Sequence, residues 1–160
     1  MIRPAVASDS VMIGNLWEQL VAYHQELNEG MPRASLHGGE IYAHNIRDRM
    51  NDSHTRVFVA EEDGRVVGYV LGLVVDRVPE MFEPEAGGFL ADIFVEEAYR
   101  GQGLGTALVT ALRGWFHEHG LNYFEWHVTA ENESALRFWE SLGGRYVQIR
   151  MRARIEDEQQ

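Results

Sequence analysis

The sequence predicts an α/β domain with a mixed, mostly antiparallel, twisted sheet of about six strands and helices on both faces. Three observations carry that expectation. Glu62-Asp63-Gly64-Arg65 lies between two runs rich in β-branched residues, and an Asp-Gly pair in that setting signals a hairpin, so the central strands are antiparallel. The apolar run Phe89–Val95 passes through a glycine-rich loop into a long amphipathic helix and then a further apolar run, a crossover expected to be parallel and right-handed. No repeat, low-complexity stretch or linker divides the 160 residues, so 1–160 is expected to be one domain.

Each element follows from local pattern. Ile2-Arg3-Pro4 is a short first strand. Ser8 or Asp9 caps a helix whose apolar residues Met12, Leu16, Trp17, Leu20 and Leu27 recur at helical spacing. Asn28–Gly39 carries Gly30, Pro32, Gly38 and Gly39 and is a loop. A second helix follows, with Ile41, Ile46 and Met50 as its expected buried stripe. Arg56–Ala60 and Val66–Val75 are strands, and Asp76–Gly88, with Pro79, Pro84 and several carboxylates, is a longer surface loop. Phe89–Val95 is the next strand. The helix after the glycine loop repeats Ala107/Leu108, Ala111/Leu112 and Trp115/Phe116 every four residues and ends at Gly120 as a C-cap. Asn122–Val128 is a strand with Tyr123, Glu125 and His127 on one face and Phe124, Trp126 and Val128 on the other. Asn132 caps a helix over Glu133–Leu142 that Gly143-Gly144 stops. Tyr146–Ile155 alternates as a last strand, with Val147, Ile149, Met151, Ala153 and Ile155 expected inward and Gln148, Arg150, Arg152 and Arg154 outward. Glu156–Gln160 is a frayed acidic tail.

Composition narrows the function classes. Apolar residues make up 45% of the chain and charged residues 24%, as in ordinary globular proteins. No run approaches the ~18 apolar residues of a membrane span, and the first residues lack the apolar core of a secretory signal; a cytoplasmic location without membrane contact is expected. A net charge of −11 opposes nucleic-acid binding, which depends on cationic side chains neutralising phosphates. It suits a cationic partner or simple solubility. The chain has no cysteine, which excludes disulfides, thiolate metal sites and a cysteine acyl-enzyme. All basic residues are arginine, so no lysine is available for a Schiff base. His117-Glu118-His119 occupies adjacent helix positions that do not converge on one ion, and no metal is expected.

The chemistry-bearing segment is Arg100-Gly101-Gln102-Gly103-Leu104-Gly105-Thr106. Glycines at alternate positions let backbone N–H groups at a helix start approach a ligand directly, an arrangement suited to a pyrophosphate. A Rossmann reading fails because Thr106 stands at the third glycine position of Gly-x-Gly-x-x-Gly. A P-loop reading fails for want of a Gly-Lys-Ser/Thr ending.

Arg-x-x-Gly-x-Gly after a strand, followed by a helix, a strand and Asn132-x-x-Ala135-x-x-Phe138-Trp139, resembles the GCN5-related N-acetyltransferases. The resemblance is sharp from Phe89 to Gly143 and compatible over the rest. It implies the acyl-CoA N-acyltransferase fold, in which the fourth and fifth strands splay to admit acetyl-CoA. By that resemblance the backbone of Ile93 and Val95, in the stretch Ile93-Phe94-Val95, would bond the pantetheine amides. Amides of Gly101, Gln102, Gly103, Leu104, Gly105 and Thr106 would hold the pyrophosphate, with Arg100 opening the loop. Asn132 would meet the pantetheine arm, with Ala135 and Phe138 beside it. The family's usual tyrosine, which protonates the departing thiolate, is replaced by Trp139, whose indole N–H is a poor acid. Only one strand follows the last helix, where the family usually has two.

The reaction these features imply is acetyl transfer from acetyl-CoA to a primary amine of a small molecule or a peptide or protein, by direct attack in a ternary complex. The backbone amide of Val95 or its neighbour is the candidate for polarising the thioester carbonyl. An alkylammonium, with a pKa of about 10.4, must first lose a proton. Asp92 is the first candidate base, acting through water or else only pairing with an arginine or amide. Glu125 and His127 follow, or are an ordinary polar sheet face. Trp17, Tyr23, His24 and the Asn28–Gly39 loop fall where the family builds its acceptor pocket. The Arg150, Arg152, Arg154 stripe is a solvated strand face or pairs with the acidic body of a second copy, and a homodimer fits the family analogy. The alternative to an enzyme is a non-catalytic acyl-CoA-binding regulatory module, and a third reading makes the glycine loop purely structural in an interaction protein.

Overall fold

The computed structural model describes residues 1–76 and 78–155, so the acidic tail expected over 156–160 lies outside the described residues. In chain order the elements are β1 (Ile2–Pro4), α1 (Ser10–Leu27), α2 (Gly38–Arg49), β2 (Thr55–Glu62), β3 (Arg65–Asp76), β4 (Ala86–Val95), α3 (Leu104–Glu118), β5 (Phe124–Glu125) and α4 (Glu133–Ser141). Short 3-10 turns at Ala7–Asp9 and Glu97–Tyr99 introduce α1 and the glycine loop. The strands lie side by side in the order β1-β2-β3-β4-β5. Successive pairs are antiparallel except β4–β5, which is parallel. Asp63 and Gly64 both take positive φ, 50° and 76°, the primed turn that matches the twist of the β2–β3 hairpin.

Alternation along the strands divides the interior into two layers. Val57, Val59, Tyr69, Leu71 and Phe94 face Ile13, Leu16, Leu20 of α1 and Ile46 of α2. Val67, Val70 and Leu90 face Leu108, Val109, Leu112, Trp115 and Phe116 of α3 and Trp139 of α4. Helices therefore cover both faces of a mixed, mostly antiparallel sheet, as the sequence predicts. Helix α3 seats closely because β3 carries glycine at position 72, where a Cβ would collide with the Leu112 side chain. At the open end of the sheet Arg3 bridges Asp9, at 2.8 Å, and Glu61, at 2.7 Å, tying β1 to the start of α1 and to β2.

Three expectations need correction. The buried face of α2 is Gly39, Ala43 and Ile46 rather than Ile41, Ile46 and Met50; Ile41 is exposed because small residues at 39 and 43 let α2 approach Gly14 of α1. Strand β5 spans two residues, not Asn122–Val128, since its ladder with β4 is limited to Gly88↔Phe124 and Phe89↔Glu125. Among the described residues five strands form where about six were expected, because Tyr146–Ile155 has no strand alongside it there. Its supposed inward residues Val147, Ile149 and Met151 are 81%, 77% and 88% exposed.

Candidate active site

The site begins with an irregularity in β4. Leu71 pairs with Asp92 and Gly72 with Leu90, which leaves Ala91 as an extra residue, a β-bulge. Without it Leu90, Asp92 and Phe94 would share one face. With it Leu90 faces α3, while Asp92 and Phe94 both face the α1–α2 side. The bulge also bends β4 just where it parts from β5, whose ladder stops at Phe89↔Glu125.

Pairing parity decides which main-chain groups face that gap. The Glu96 amide donates to the Val67 carbonyl at 2.9 Å, so 96 and 67 form a hydrogen-bonded antiparallel pair. The next pair in register, Val95 and Gly68, is then non-hydrogen-bonded, as is Ile93 with Val70. The N–H and C=O of Ile93 and Val95 therefore point away from β3, into the space between β4 and β5. Arg100 reports the same direction, because its Nε donates to the Val95 carbonyl at 2.9 Å.

Arg65 and Glu96 pair at 2.6 Å and fix the entrance to the glycine loop. Arg100 then lays its guanidinium over the rings of Tyr23, at 5.2 Å, and Phe94, at 5.1 Å. Gly101 and Gly103 follow with φ of 75° and 81°, values that side-chain-bearing residues adopt at a cost. Gly103 is the N-cap of α3 and offers no side chain to the first turn, and that turn carries no acidic residue. The Ala107 amide reaches the Gly103 carbonyl, so the amides of Leu104, Gly105 and Thr106 come before the helical ladder begins. A Cβ built at Gly101 or Gly103 meets nothing within 4 Å, so the loop faces open space. First-turn N–H groups that no side chain caps among the described residues, the positive end of a fifteen-residue helix and room for a ligand coincide here.

On the other face of β4, Asp92 accepts a 2.7 Å hydrogen bond from the Tyr42 hydroxyl of α2. Tyr42 stacks on Trp17 at 5.0 Å and meets Tyr69 edge-on at 6.2 Å. This aromatic wall desolvates Asp92 and holds its pKa above the ordinary carboxylate value, while the Tyr42 hydrogen bond and nearby His24 pull the other way. Burial lowers the His24 pKa against the pull of Asp92, which keeps that ring neutral at neutral pH. Burial pushes the hydroxyls of Tyr42 and Tyr69 far up, so Tyr42 serves as a donor and not as an ionised base. The Tyr69 hydroxyl is buried without a hydrogen-bond partner among the described residues.

The remaining candidates fall in two places. Glu125 is half-buried in β5 opposite Phe89, and His127 is exposed with its ring edge-on to Phe89 at 5.5 Å. Both therefore sit three positions back along β4 from Asp92. Asn132 is buried, caps α4 by accepting from the Ala135 amide at 3.1 Å, and lies 3.5 Å from the Tyr23 hydroxyl. Phe138 lies over Gly105, whose added Cβ would be 3.5 Å from its ring. Trp139 is 6% exposed and packs against Trp126 at 4.4 Å and Phe138 at 5.0 Å, a core position. Tyr42 escaped the sequence reading. It stands three residues after Gly39, on the inner face of α2, and the misplaced stripe through Ile41 hid it.

Against known proteins, the family model of the acetyltransferase (GNAT) family matches residues 18–144. An uncharacterised N-acetyltransferase of Methanocaldococcus jannaschii is 36% identical over 89 residues, 55% of this chain and 51% of that protein. The L-2,4-diaminobutyric acid acetyltransferase of Nocardia farcinica is 30% identical over 87 residues, 54% of this chain and 42% of that protein. The chain thus spans about half the length of these curated relatives. An aminoglycoside N-acetyltransferase solved in complex with CoA superposes with a TM-score of 0.74 at 18% identity, over 98% of this chain and 95% of that one, a likeness of fold. A match covering most of the chain, on a sheet whose fourth and fifth strands part above a glycine loop, places it in the GNAT acetyltransferase family.

Proposed function

We propose that this protein is an acetyl-CoA-dependent N-acetyltransferase that acetylates a primary amine of a small molecule or of a peptide or protein. The observation that carries the reading is the gap between β4 and β5. The outward amides of Ile93 and Val95 line it, and the exposed glycine loop at the start of α3 lies at the end of β4. In this reading Gly101–Thr106 hold the pyrophosphate through backbone N–H groups. The main chain of Ile93 and Val95 receives the pantetheine arm in the manner of an added strand. The Asn132 oxygen is engaged in capping α4, so its amide nitrogen is the group left for that arm. The N. farcinica relative's named substrate, a diamino acid, fits an amine acceptor.

Bound acetyl-CoA supplies the thioester, and with no cysteine in the chain the amine attacks it directly. The Val95 N–H holds the carbonyl oxygen as charge develops there. Asp92, with its pKa raised, takes the ammonium proton through water, and Tyr42 fixes its orientation. No acid is assigned to the departing thiolate: a thiol pKa near 8.5, by comparison with cysteine, lets it leave unprotonated. A cytoplasmic enzyme is consistent with this chemistry, and no helix among the described residues is long and apolar enough to cross a membrane.

The core position of Trp139 favours a second reading, a non-catalytic acyl-CoA-binding regulatory module, because no proton donor stands in place of the family's tyrosine. Thiol release from acetyl-CoA, measured across an amine library and paired with calorimetric CoA binding, separates the two. Amine-dependent release is the expected result. Binding without release from any amine supports the module, and absence of binding sinks both.

A further inference from the structure

Two nitrogens between the sheet and α3 are accounted for neither by the fold nor by acetyl transfer. The indole Nε1 of Trp115 and the Nε of Arg56 are both buried without a hydrogen-bond partner among the described residues. A buried donor left unmet is costly, and native proteins keep few. Trp115 is 4% exposed, and the Arg56 guanidinium lies over its ring, 5.8 Å from the centroid. Alternation along β2 puts Arg56 on the α3 face with Phe58 and Ala60. In a chain of net −11 this half-buried cation nonetheless makes no ion pair among the described residues.

Both side chains line one open groove of about 280 Å³ between α3 and the β1–β2 edge. Glu118, the last residue of α3, lines it too. It is exposed and also forms no ion pair among the described residues, with Arg56 or with any other cation. A carboxylate at the negative end of a helix is unfavourable alone, whereas a cation there is favoured by helix and carboxylate together. The groove therefore has an end that selects positive charge and an end, at Arg56 and Trp115, that selects negative charge. Pro4, Phe58 and Ala111 complete the lining with apolar surface.

We infer that this groove binds a free amino acid with an apolar side chain, as its zwitterion. Its carboxylate accepts from the planar guanidinium of Arg56 and from the Trp115 indole N–H. Its ammonium donates to Glu118, and its side chain rests on Pro4, Phe58 and Ala111. A lone anion meets the repulsion of Glu118 and a lone cation that of Arg56, so only a dipolar ligand satisfies both ends. The site is separate from the gap that receives acetyl-CoA in the proposed function. Strands β1 and β2 form one end of the sheet, and β4 and β5 the other.

Calorimetry on the full chain with L-leucine and L-phenylalanine tests this. The N-acetyl derivative and the amide of the tighter binder keep only the carboxylate or only the ammonium. The parent is expected to bind the free amino acid at least tenfold more tightly than either derivative, and its Trp115 indole N–H resonance should shift on addition. Arg56→Met, which keeps an aliphatic cover on the indole, and Glu118→Gln should each weaken the free amino acid at least tenfold with circular dichroism unchanged. Glu118→Gln should also tighten the N-acetyl derivative. Failure of both amino acids to bind the parent overturns the inference, as do equal affinities for the three forms. Undiminished binding in either folded variant overturns it as well, and in both it assigns the amino acid to another site. Should Arg56→Met not fold, exposed Glu118→Gln and the Trp115 resonance decide, and an unmoved resonance overturns the inference.

Discussion

As the proposed base, Asp92 would have to be both desolvated and charged, and those requirements oppose each other. Its pKa is raised in the native state, so the native state holds that proton more tightly than the unfolded chain does. The stability this contributes is complete below the ordinary aspartate pKa of about 3.9 and is lost as pH rises through the raised value. Asp92→Asn keeps an acceptor for Tyr42 but carries no charge. Its Tm is expected to exceed that of the parent at pH 7, with the gap narrowing as pH falls toward 4, as scanning fluorimetry across pH would show. A gap that does not change with pH would contradict the account. The same variant is expected to lose about 10²–10⁴-fold in turnover, the usual worth of general base help. From the chain alone Asp92 could be identified but not its setting. Periodicity fixes neighbours within an element, whereas Tyr42 and His24 reach Asp92 from helices distant in sequence.

At the scale of elements, the start of α3 is where backbone conformation and ligand chemistry meet. Gly103 holds a φ of 81° with no atom near its missing Cβ. Gly103→Ala is therefore expected to cost about 1–2 kcal/mol through conformation alone, without a clash. It also places a methyl on the face where the amides are offered, so the Kd for CoA should weaken at least tenfold by calorimetry while circular dichroism stays native. Gly114→Ala, exposed on the same helix with an open Cβ position, is the control. It should leave that Kd unchanged and raise stability by up to about 1 kcal/mol. The loop, helix α3 and the cap of α4 were legible because they are local: alternate glycines, a four-residue apolar repeat and Asn132 each act within a few residues. The bulge at Ala91 was not legible, because an extra residue in β4 exists only relative to its partner β3.

For the molecule as a whole, two helical layers grip the sheet while its far end opens between β4 and β5. A ligand that fills this opening binds only the native chain. CoA at a hundred times its Kd is expected to stabilise the fold by about 2.7 kcal/mol. Amide exchange should slow at Ile93, Val95 and Gly101–Thr106 and stay unchanged along β2, and uniform slowing would speak against a site in the gap. The sequence by itself determined the α/β class, the order of elements as far as α4, the β2–β3 hairpin and the glycine loop, because each rests on contacts between near neighbours. Tertiary structure alone decided which carbonyls and amides of β4 face outward, which aromatic rings desolvate Asp92, and that Trp139 belongs to the core. It also decided that Tyr146–Ile155, though patterned as a strand, stays out of its own sheet. A strand is completed by the edge beside it, and no pattern within ten residues says where that edge will be.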